Sequence, residues 1–560
     1  QIYSLLQARM REWETLESTL DQWVGEPIAG SMLESVLGGK AAVAQNLKQS
    51  WRNSPLAGEH SRYRMLDLVC DDPIPALSAD FSHVRDLYVR GRSVTDANVD
   101  ALLANFPKLR RLRINGTGNA FTTVPQVLSS MPDLTGLSLY SAARFAADMP
   151  SRLGALTTLE ELSLCSTWGV PVTLDVSRLR NLRLLQVIAP SMDQWPIGVL
   201  QLPRLERLNL TGTGIRTLPE GIFEGHEKLW SGLSLDWSNV LRKNFKPAYE
   251  YLKRQPQHLV DLEEMVRDYC KGELKRLGEG INEPSAGMFD QFVEQWPDAG
   301  ARFDAVEALS EQHHQLNQHL NDWSQRALQM PGAAHEIMRR TWTANALRTS
   351  WRNGAFKRYG STANASVLDL PNLVLSEFPE LPDGAFPEVR TLYLKGNGAP
   401  VQQIRSFVRG FPALEKLDVS GSDSTEVPFV PGDLGKLTEL DLSNNRIVGD
   451  AGIQQAFDGL QALQRLDLSN NPLNTLDVSA MTRLKALNLS GTALHEWPTG
   501  AQALPELYWL DLRDSRVSAL PESLSDEALL KTNLTGTPLT PQAVAARNAA
   551  RHRMEMAKGL

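Results

Sequence analysis

Two short stretches decide the fold: Leu440-Asp441-Leu442-Ser443-Asn444-Asn445 and Leu466-Asp467-Leu468-Ser469-Asn470-Asn471, the same six-residue sentence repeated 26 residues apart. Alternation of Leu with Asp in the first three positions fits a short strand, in which successive side chains point to opposite faces. Leu440 and Leu442 then face a core, and Asp441 between them faces solvent. The motif recurs in both directions. Its leading residues are Leu66, Leu87, Leu112, Leu137, Leu162, Leu185, Leu208 and Leu233, and then Leu368, Leu392, Leu417, Leu440, Leu466, Leu487, Leu510 and Thr532, at separations of 21 to 26 residues within each set. A fixed period of this length marks a solenoid, because one unit cannot bury its own leucines and stacked neighbours can.

Three residues after the second strand apolar position, a short polar side chain recurs: Thr117, Thr167, Thr213, Ser238, Asn397, Ser422, Asn445, Asn471, Thr492, Ser515 and Thr537. Each turn leaves backbone groups inside the coil that water cannot reach, and a small hydrogen-bonding side chain there satisfies them. Asp71, Arg92, Ala142, Pro190 and Leu373 depart from the pattern, which predicts irregular loops at those turns. A second apolar set, as in Ile215-x-x-Leu218-Pro219 and Leu494-x-x-Trp497-Pro498, closes the convex side.

The two arrays are copies within a larger period. Gln49-Ser50-Trp51-Arg52-Asn53 matches Thr349-Ser350-Trp351-Arg352-Asn353 at an offset of 300, as Leu16, Leu20 and Trp23 match Leu316, Leu320 and Trp323. Leu6, Met10, Trp13, Leu16, Leu20 and Trp23, and likewise Val306, Leu309, His313, Leu316, Leu320 and Trp323, fall at three- and four-residue spacing, which predicts an amphipathic helix ahead of each array. A helical hairpin there covers the leucines and strand edge that a first turn would expose.

The fold class is therefore an α/β repeat: two solenoids, each with a curved parallel sheet on its concave face and a helical cap before it. The expected division is a helical cap over 1–60, eight repeats over 61–240, a helical linker and second cap over 241–360, eight repeats over 361–540, and the start of a C-terminal helix over 541–560. Gly278 to Ser285 and Pro297 to Gly300 are the expected hinges. Because the sequence starts at Gln1 and ends inside that helical pattern, it reads as a piece of a longer protein.

Composition narrows the function. Of 560 residues, 42% are hydrophobic and 22% charged, as in a globular chain, and a net charge of −8 supplies no global basic field for nucleic acid or an anionic membrane. No apolar run approaches the length of a membrane span. Cys70, Cys165 and Cys270 are too few and too dispersed for a disulfide framework or a four-cysteine zinc site, and His313, His314, His319 and His335 lack metal-ligand spacing. Neither a metal nor a cofactor is expected, and no catalytic residue is assigned. Asn115-Gly116-Thr117-Gly118-Asn119 has Phe121 where a phosphate loop needs its third glycine, and reads as a repeat turn.

Binding is then expected on the concave faces. In the first array the column between the strand apolar residues runs Asp67, Tyr88, Arg113, Ser138, Ser163, Gln186, Asn209 and Ser234; Tyr88, Arg111, Arg113, Tyr140 and Glu161 are its candidate contact residues. In the second it runs Asp369, Tyr393, Asp418, Asp441, Asp467, Asn488, Asp511 and Asn533, and the candidates are Tyr393, Lys416, Asp418, Glu439, Asp441, Arg465, Asp467, Trp509, Asp511 and Arg513. Five carboxylates in eight rows about 4.8 Å apart repel one another, which favours a basic protein partner and disfavours nucleic acid.

The repeats resemble leucine-rich repeats. More narrowly, Trp-Arg-Asn before each array, Leu233-Ser234-Leu235-Asp236-Trp237-Ser238, Asn471-Pro472-Leu473 and Lys531 to Leu539 look like the repeat region of large Pseudomonas-type proteins similar to IpaH-type secreted effectors with a novel E3 ubiquitin-ligase domain. That resemblance implies a target-recognition module secreted by a bacterium into the host cytoplasm, working with a downstream ligase domain that holds the nucleophilic Cys outside these residues. The alternative is a non-enzymatic repeat scaffold or adhesion protein. Cys70-Asp71-Asp72 has the Cys-x-Asp form of that ligase nucleophile, yet its place after Leu66-Asp67-Leu68 reads as part of a repeat.

Overall fold

The computed structural model describes residues 2–26, 39–58, 61–167, 173–255, 257, 260–278, 286–370 and 377–559. The chain divides into two compact units, Gln1–Glu273 and Leu274–Leu560, with the boundary inside the helical stretch predicted between the arrays.

Each unit contains one parallel sheet in which strands follow chain order. The first is β1 (Met65–Val69), β2 (Asp86–Gly91), β3 (Arg111–Gly116), β4 (Gly136–Ser141), β5 (Glu161–Ser166), β6 (Leu184–Ile188), β7 (Arg207–Asn209) and β8 (Leu233–Ser234). The second is β9 (Val367–Asp369), β10 (Thr391–Tyr393), β11 (Lys416–Asp418), β12 (Glu439–Asp441), β13 (Arg465–Asp467), β14 (Ala486–Asn488), β15 (Trp509–Asp511) and β16 (Thr532–Asn533). Each leading residue pairs with its counterpart in the next strand, from Leu66 with Leu87 to Leu510 with Thr532. Among the described residues sixteen repeats stand in two stacks, and the strand leucines form the core of each. On the convex side, repeat length sets what fits. The eight-residue helices Asp96–Leu103, Val401–Val408 and Ala451–Asp458 occur in repeats 25 or 26 residues long, with Thr95 and Asp450 capping the first and last.

The polar ladder appears where predicted in the second array. Asn445 Nδ2 donates to the carbonyls of Val419 and Leu442, each at 3.0 Å, and its Oδ1 accepts from the amides of Ser422 and Ser424, again at 3.0 Å. Asn471 repeats the arrangement with Leu442, Leu468 and the Ile447 amide. Asn397 reaches Leu394 and the Ser422 hydroxyl, and Thr492 bonds Leu489. Ser515 is buried with its hydroxyl unpartnered among the described residues.

The first array corrects the expectation. Thr117 and Thr167 are exposed, and residues 70–85, from Asp71 onward to β2, contain neither helix nor strand. Strands β1 to β6 run for five or six residues, so the next inward position lies two residues after the second apolar one and holds Cys70, Gly91, Gly116, Ser141, Ser166 and Ala189, every one small and buried. Ser141 Oγ donates to the Phe121 carbonyl at 2.6 Å, inside the coil. At Gly116 a Cβ would sit 2.7 Å from that of Phe121, which explains the glycine.

One backbone feature separates the two turn types. Throughout the second array the residue at that same offset is left-handed wherever it is described: Gly396, Gly421, Asn444, Asn470, Gly491, Asp514 and Gly536, with φ between 54° and 76°. Gly, Asn and Asp tolerate that region best. The reversal ends the strand after three residues and swings the following Asn, Thr or Ser inward. Gly212 does the same in the seventh repeat of the first array, where Thr213 is buried. Leu373 lies outside the described residues.

Helical hairpins precede both sheets: Ile2–Gly25 with Lys40–Arg52, and Ala299–Arg326 with Ala333–Lys357. Their packing repeats as their sequences do. Lys40 lies over Trp23 and Arg340 over Trp323; Trp13 packs on Trp51 at 5.5 Å and His313 on Trp351 at 5.0 Å. Fully buried Arg340 also pairs with Glu336 at 2.9 Å and with Glu377, beyond β9, at 3.2 Å, tying the second hairpin to the first turns of its array. Leu6 and Met10 depart from expectation, being exposed, whereas Leu16, Leu20 and Trp23 are buried. Of the two expected hinges, Pro297 to Gly300 instead starts a helix, capped by Asp298 on the Ala301 amide, and residues 279–285 of the other lie outside the described residues.

Candidate functional site

Strand register places the predicted columns in line. Asp369, Tyr393, Asp418, Asp441, Asp467, Asn488, Asp511 and Asn533 are successive partners across the second sheet. Beside them runs Val367, Thr391, Lys416, Glu439, Arg465, Ala486 and Trp509. Over the middle of this face lies a groove of about 400 Å³ walled by Tyr393, Lys416, Arg465, Tyr508 and Trp509 and floored by Asp418, Asp441 and Asp467.

Each carboxylate in the floor has a local task. Oδ1 of Asp418 accepts from the Ser420 amide at 2.9 Å and hydroxyl at 2.6 Å; Asp467 does the same with Ser469, and Asp441 takes the Ser443 amide at 2.9 Å. Asn488 and Asn533 make the equivalent bonds to Ser490 and Thr535, so an uncharged acceptor serves these turns as well as a carboxylate. The aspartates of the floor thus support their turns, although Tyr393 precedes the same left-handed turn at Gly396. The first array, whose strands run on through that turn, carries Tyr88, Arg113, Ser138, Ser163 and Gln186 in the same column, and returns to Asn209 when the turn type changes.

What remains for a partner is the second oxygen of Asp418 and of Asp441. Burial first, and then the charges of Asp418 and Asp467, push the Asp441 carboxyl above its ordinary range against the pull of Ser443. Asp467 Oδ2 accepts from Asn488 Nδ2 at 2.8 Å. Asp511 is 1% exposed beneath Arg513, whose Nε and Nη2 reach it at 2.9 and 2.8 Å, so this pair lies outside the open part of the face. Glu439 is bracketed by Lys416 at 2.9 Å and Arg465 at 3.9 Å, and the Lys416 ammonium sits 5.7 Å from the Tyr393 ring. The hydrogen bond to Glu439 holds the Lys416 pKa above its usual value. Exposed Tyr508 was missed by alternation alone, since it precedes the strand that Trp509 opens.

Longer strands make the first concave face three columns wide. Met65, Asp86, Arg111, Gly136 and Glu161 form one edge; Asp67, Tyr88, Arg113, Ser138 and Ser163 the centre; Val69, Arg90, Asn115, Tyr140 and Cys165 the other edge. Arg111 grips Asp86 with two bonds, at 2.7 and 3.1 Å, and Arg90 pairs with Asp67 while its guanidinium lies 5.4 Å from the Tyr88 ring. Exposed Arg113 makes no ion pair among the described residues. Met65, Asp67, Asp86, Tyr88, Arg111 and Arg113 enclose a groove of about 380 Å³. Met65 and Asp86 of the groove, and Arg90 beside it, were not anticipated; the extra strand residues that place Arg90 and Tyr140 on one column are announced only by the small residue that follows.

Chemistry is confined. Cys70 is buried behind the sheet, and burial, with Asp71 and Asp67 adding to it, pushes its thiol up to about 12. That opposes the thiolate a nucleophile requires. Among the described residues no group of three or more His, Cys, Asp or Glu side chains converges on a metal position, and no helix is long and apolar enough to cross a membrane.

A leucine rich repeat family model matches residues 435–494, which contain both stretches that began the reading. Residues 435–494 thus carry a leucine rich repeat. Similar proteins include the transforming growth factor beta activator LRRC33 of Danio rerio, 30% identical over 166 residues, and leucine-rich repeat-containing G-protein coupled receptor 5 of Xenopus tropicalis, 31% identical over 144. These matches cover 28% and 24% of this chain, and 24% and 15% of the relatives, so the chain spans a quarter or less of the length of these curated relatives. Among solved structures, a leucine-rich-repeat protein of Leptospira interrogans is 15% identical, with 89% of this chain and 96% of that one covered at a TM-score of 0.27. Internalin C2 of Listeria monocytogenes is 18% identical over 35% of this chain and 89% of its own, at 0.25.

Proposed function

We propose that this leucine-rich-repeat chain is a non-enzymatic protein-binding scaffold whose two concave faces grip different partners, the second face taking a basic segment. The observation that carries this reading is Asp441, desolvated between Asp418 and Asp467 on the floor of an open groove. A cation seated on the free carboxylate oxygens removes both the burial cost and the repulsion, and Tyr393, Tyr508 and Trp509 supply contact area on either side. The first face, with Arg113 free and Asp86 and Asp67 already paired, suits a partner of mixed or acidic character.

The narrower reading, the target-recognition region of a secreted ubiquitin-ligase effector, rests on the motif resemblance alone, as does secretion into a host cell. The family model and the relatives support a general binding scaffold better than that specialised role.

The test exploits the two asparagines already in the column. Asp418→Asn with Asp441→Asn keeps the turn acceptors and removes the charge. Retention of the chain on an array of extended peptides of graded charge should favour Lys- and Arg-rich peptides, weaken with salt, and fall in the double variant. Equal retention by wild type and variant would overturn the assignment of the second face.

A further inference from the structure

The two modules are copies, yet one face of the hairpin is covered in only one of them. In the helix Ile2–Gly25 the side chains of Ile2, Tyr3, Leu6 and Met10 are 77%, 72%, 58% and 62% exposed. Three hundred residues on, Arg302, Phe303, Val306 and Ser310 occupy the same positions at 1%, 3%, 0% and 5%. Helix spacing puts each set on one side of its helix. The same surface is therefore buried in the second module and open in the first.

The second module also shows what accompanies burial. Just ahead of its hairpin lies the short helix Ala286–Gln295, with Phe292 wholly buried and its ring 5.2 Å from Tyr359 in an edge-on contact. Trp296, at the end of that helix, accepts a bond from Arg302 Nε at 3.0 Å through its carbonyl, and its indole nitrogen is 3.4 Å from the Tyr359 hydroxyl. The segment is fastened at the open end of the hairpin: Arg302 lies in the first turn of the one helix, and Tyr359 follows the other. It is aromatic, through Phe289, Phe292 and Trp296 at three- and four-residue spacing, and acidic, through Asp290 and Glu294, with no basic residue.

The open face has the complementary character. A groove of about 330 Å³ runs between Leu6, Met10, Trp13 and Trp51, and two guanidiniums and one carboxylate, Glu14, lie on its rim: Arg9 lies 4.0 Å from the Trp51 ring, and Arg52, which also pairs with Glu17, 4.1 Å from Trp13. Clustered exposed apolar side chains rimmed by charge mark a binding surface, and an amphipathic helix fills such a groove with residues three or four apart.

We propose that Ile2, Tyr3, Leu6, Met10 and Trp13 form a docking site for an acidic amphipathic helix with aromatic residues at three- and four-residue spacing, a helix of the same chemistry as Ala286–Gln295. The probe is a fluorescein-labelled peptide of residues 286–298 titrated into the full 560-residue chain and followed by anisotropy. The second module's own helix is attached covalently and its high effective concentration keeps the peptide from replacing it, so one site should appear. Saturable one-to-one binding is expected, weakened at least about tenfold by Leu6→Asp, by Met10→Asp, or by Phe292→Ala in the peptide. Because Leu6 and Met10 are exposed, the variants should keep the circular dichroism and melting temperature of the parent. Absence of saturable binding, or an affinity indifferent to these changes, overturns the proposal. So does concentration-dependent dimerisation abolished by Leu6→Asp, which would make a second copy the occupant.

Discussion

Asn445→Ala and Thr117→Ala alter positions with the same offset from a strand leucine, yet they should differ by orders of magnitude in effect. Asn445 is 6% exposed and makes four bonds at 3.0 Å to the backbone of its own repeat and the one before it. Its truncation strands the Val419 carbonyl and the Ser422 and Ser424 amides in a space that water reaches poorly, while the Leu442 carbonyl keeps Asn471. At roughly 1 kcal/mol net for each bond, the loss is about 3–4 kcal/mol. Thr117 is exposed, and its loss should stay within about 0.5 kcal/mol. With two compact units, a single unfolding free energy would mix unrelated transitions, so hydrogen exchange read peptide by peptide is the suitable assay. Amides of β11 to β13 in Asn445→Ala should exchange on the order of a hundredfold faster, while β2 to β4 in Thr117→Ala remain as in the parent. Matching protection losses in the two variants would refute the division into two turn types.

Asp441→Asn should raise the melting temperature of the second unit at neutral pH, because it keeps the Ser443 bond and removes a charge that burial and two neighbouring aspartates disfavour. The sign follows from a folded pKa above the unfolded one: the carboxyl's contribution is fully present below the unfolded value and is lost as pH rises through the folded value. The advantage of Asn over Asp should therefore vanish in melts taken at acid pH. Ser141→Ala should cost about 1–2 kcal/mol, measured by exchange in β3 to β5, since it leaves the Phe121 carbonyl unpaired. Cys70 should resist iodoacetamide in the native chain at pH 8, whereas half-exposed Cys165 is labelled first; mass spectrometry of the modified peptides checks the order, and early labelling of Cys70 would contradict its burial. Arg340→Ala should destabilise the second hairpin by about 3–5 kcal/mol, because Glu336, a buried carboxylate, loses its guanidinium; exchange over 299–357 reads it.

The period and its alternation were sufficient to find all sixteen strands, their partners and the duplicated hairpins, because a stack of identical turns offers each leucine one environment, repeated. Leu440 could face nothing but Leu417 and Leu466. The turn type was also written in the chain, though less plainly: Asn or Asp at that offset accompanies reversal and Cys, Ser or Ala accompanies continuation, as Asn470 and Ser141 illustrate, while Gly serves both, as Gly421 and Gly116 do. A rule learned on one array therefore misplaced Thr117 and Thr167 in the other, since a one-residue change in where a strand ends exchanges the inner and outer faces.

The candidate surface was legible as a list of residues and not as a site. Alternation put Tyr393, Asp441 and Tyr88 on concave columns, because a strand has only two sides. It did not show that Asp511 is covered by Arg513 two residues on, that Glu439 is already neutralised by Lys416 and Arg465 of the neighbouring repeats, or that Tyr508 joins Trp509 at the groove wall, for those depend on how long side chains settle in space. Nor did the helical period distinguish Leu6 from Leu16. Periodicity records which side of a helix is apolar; only the neighbours present in space decide whether that side is covered, and in this chain they cover Val306 and leave Leu6 bare.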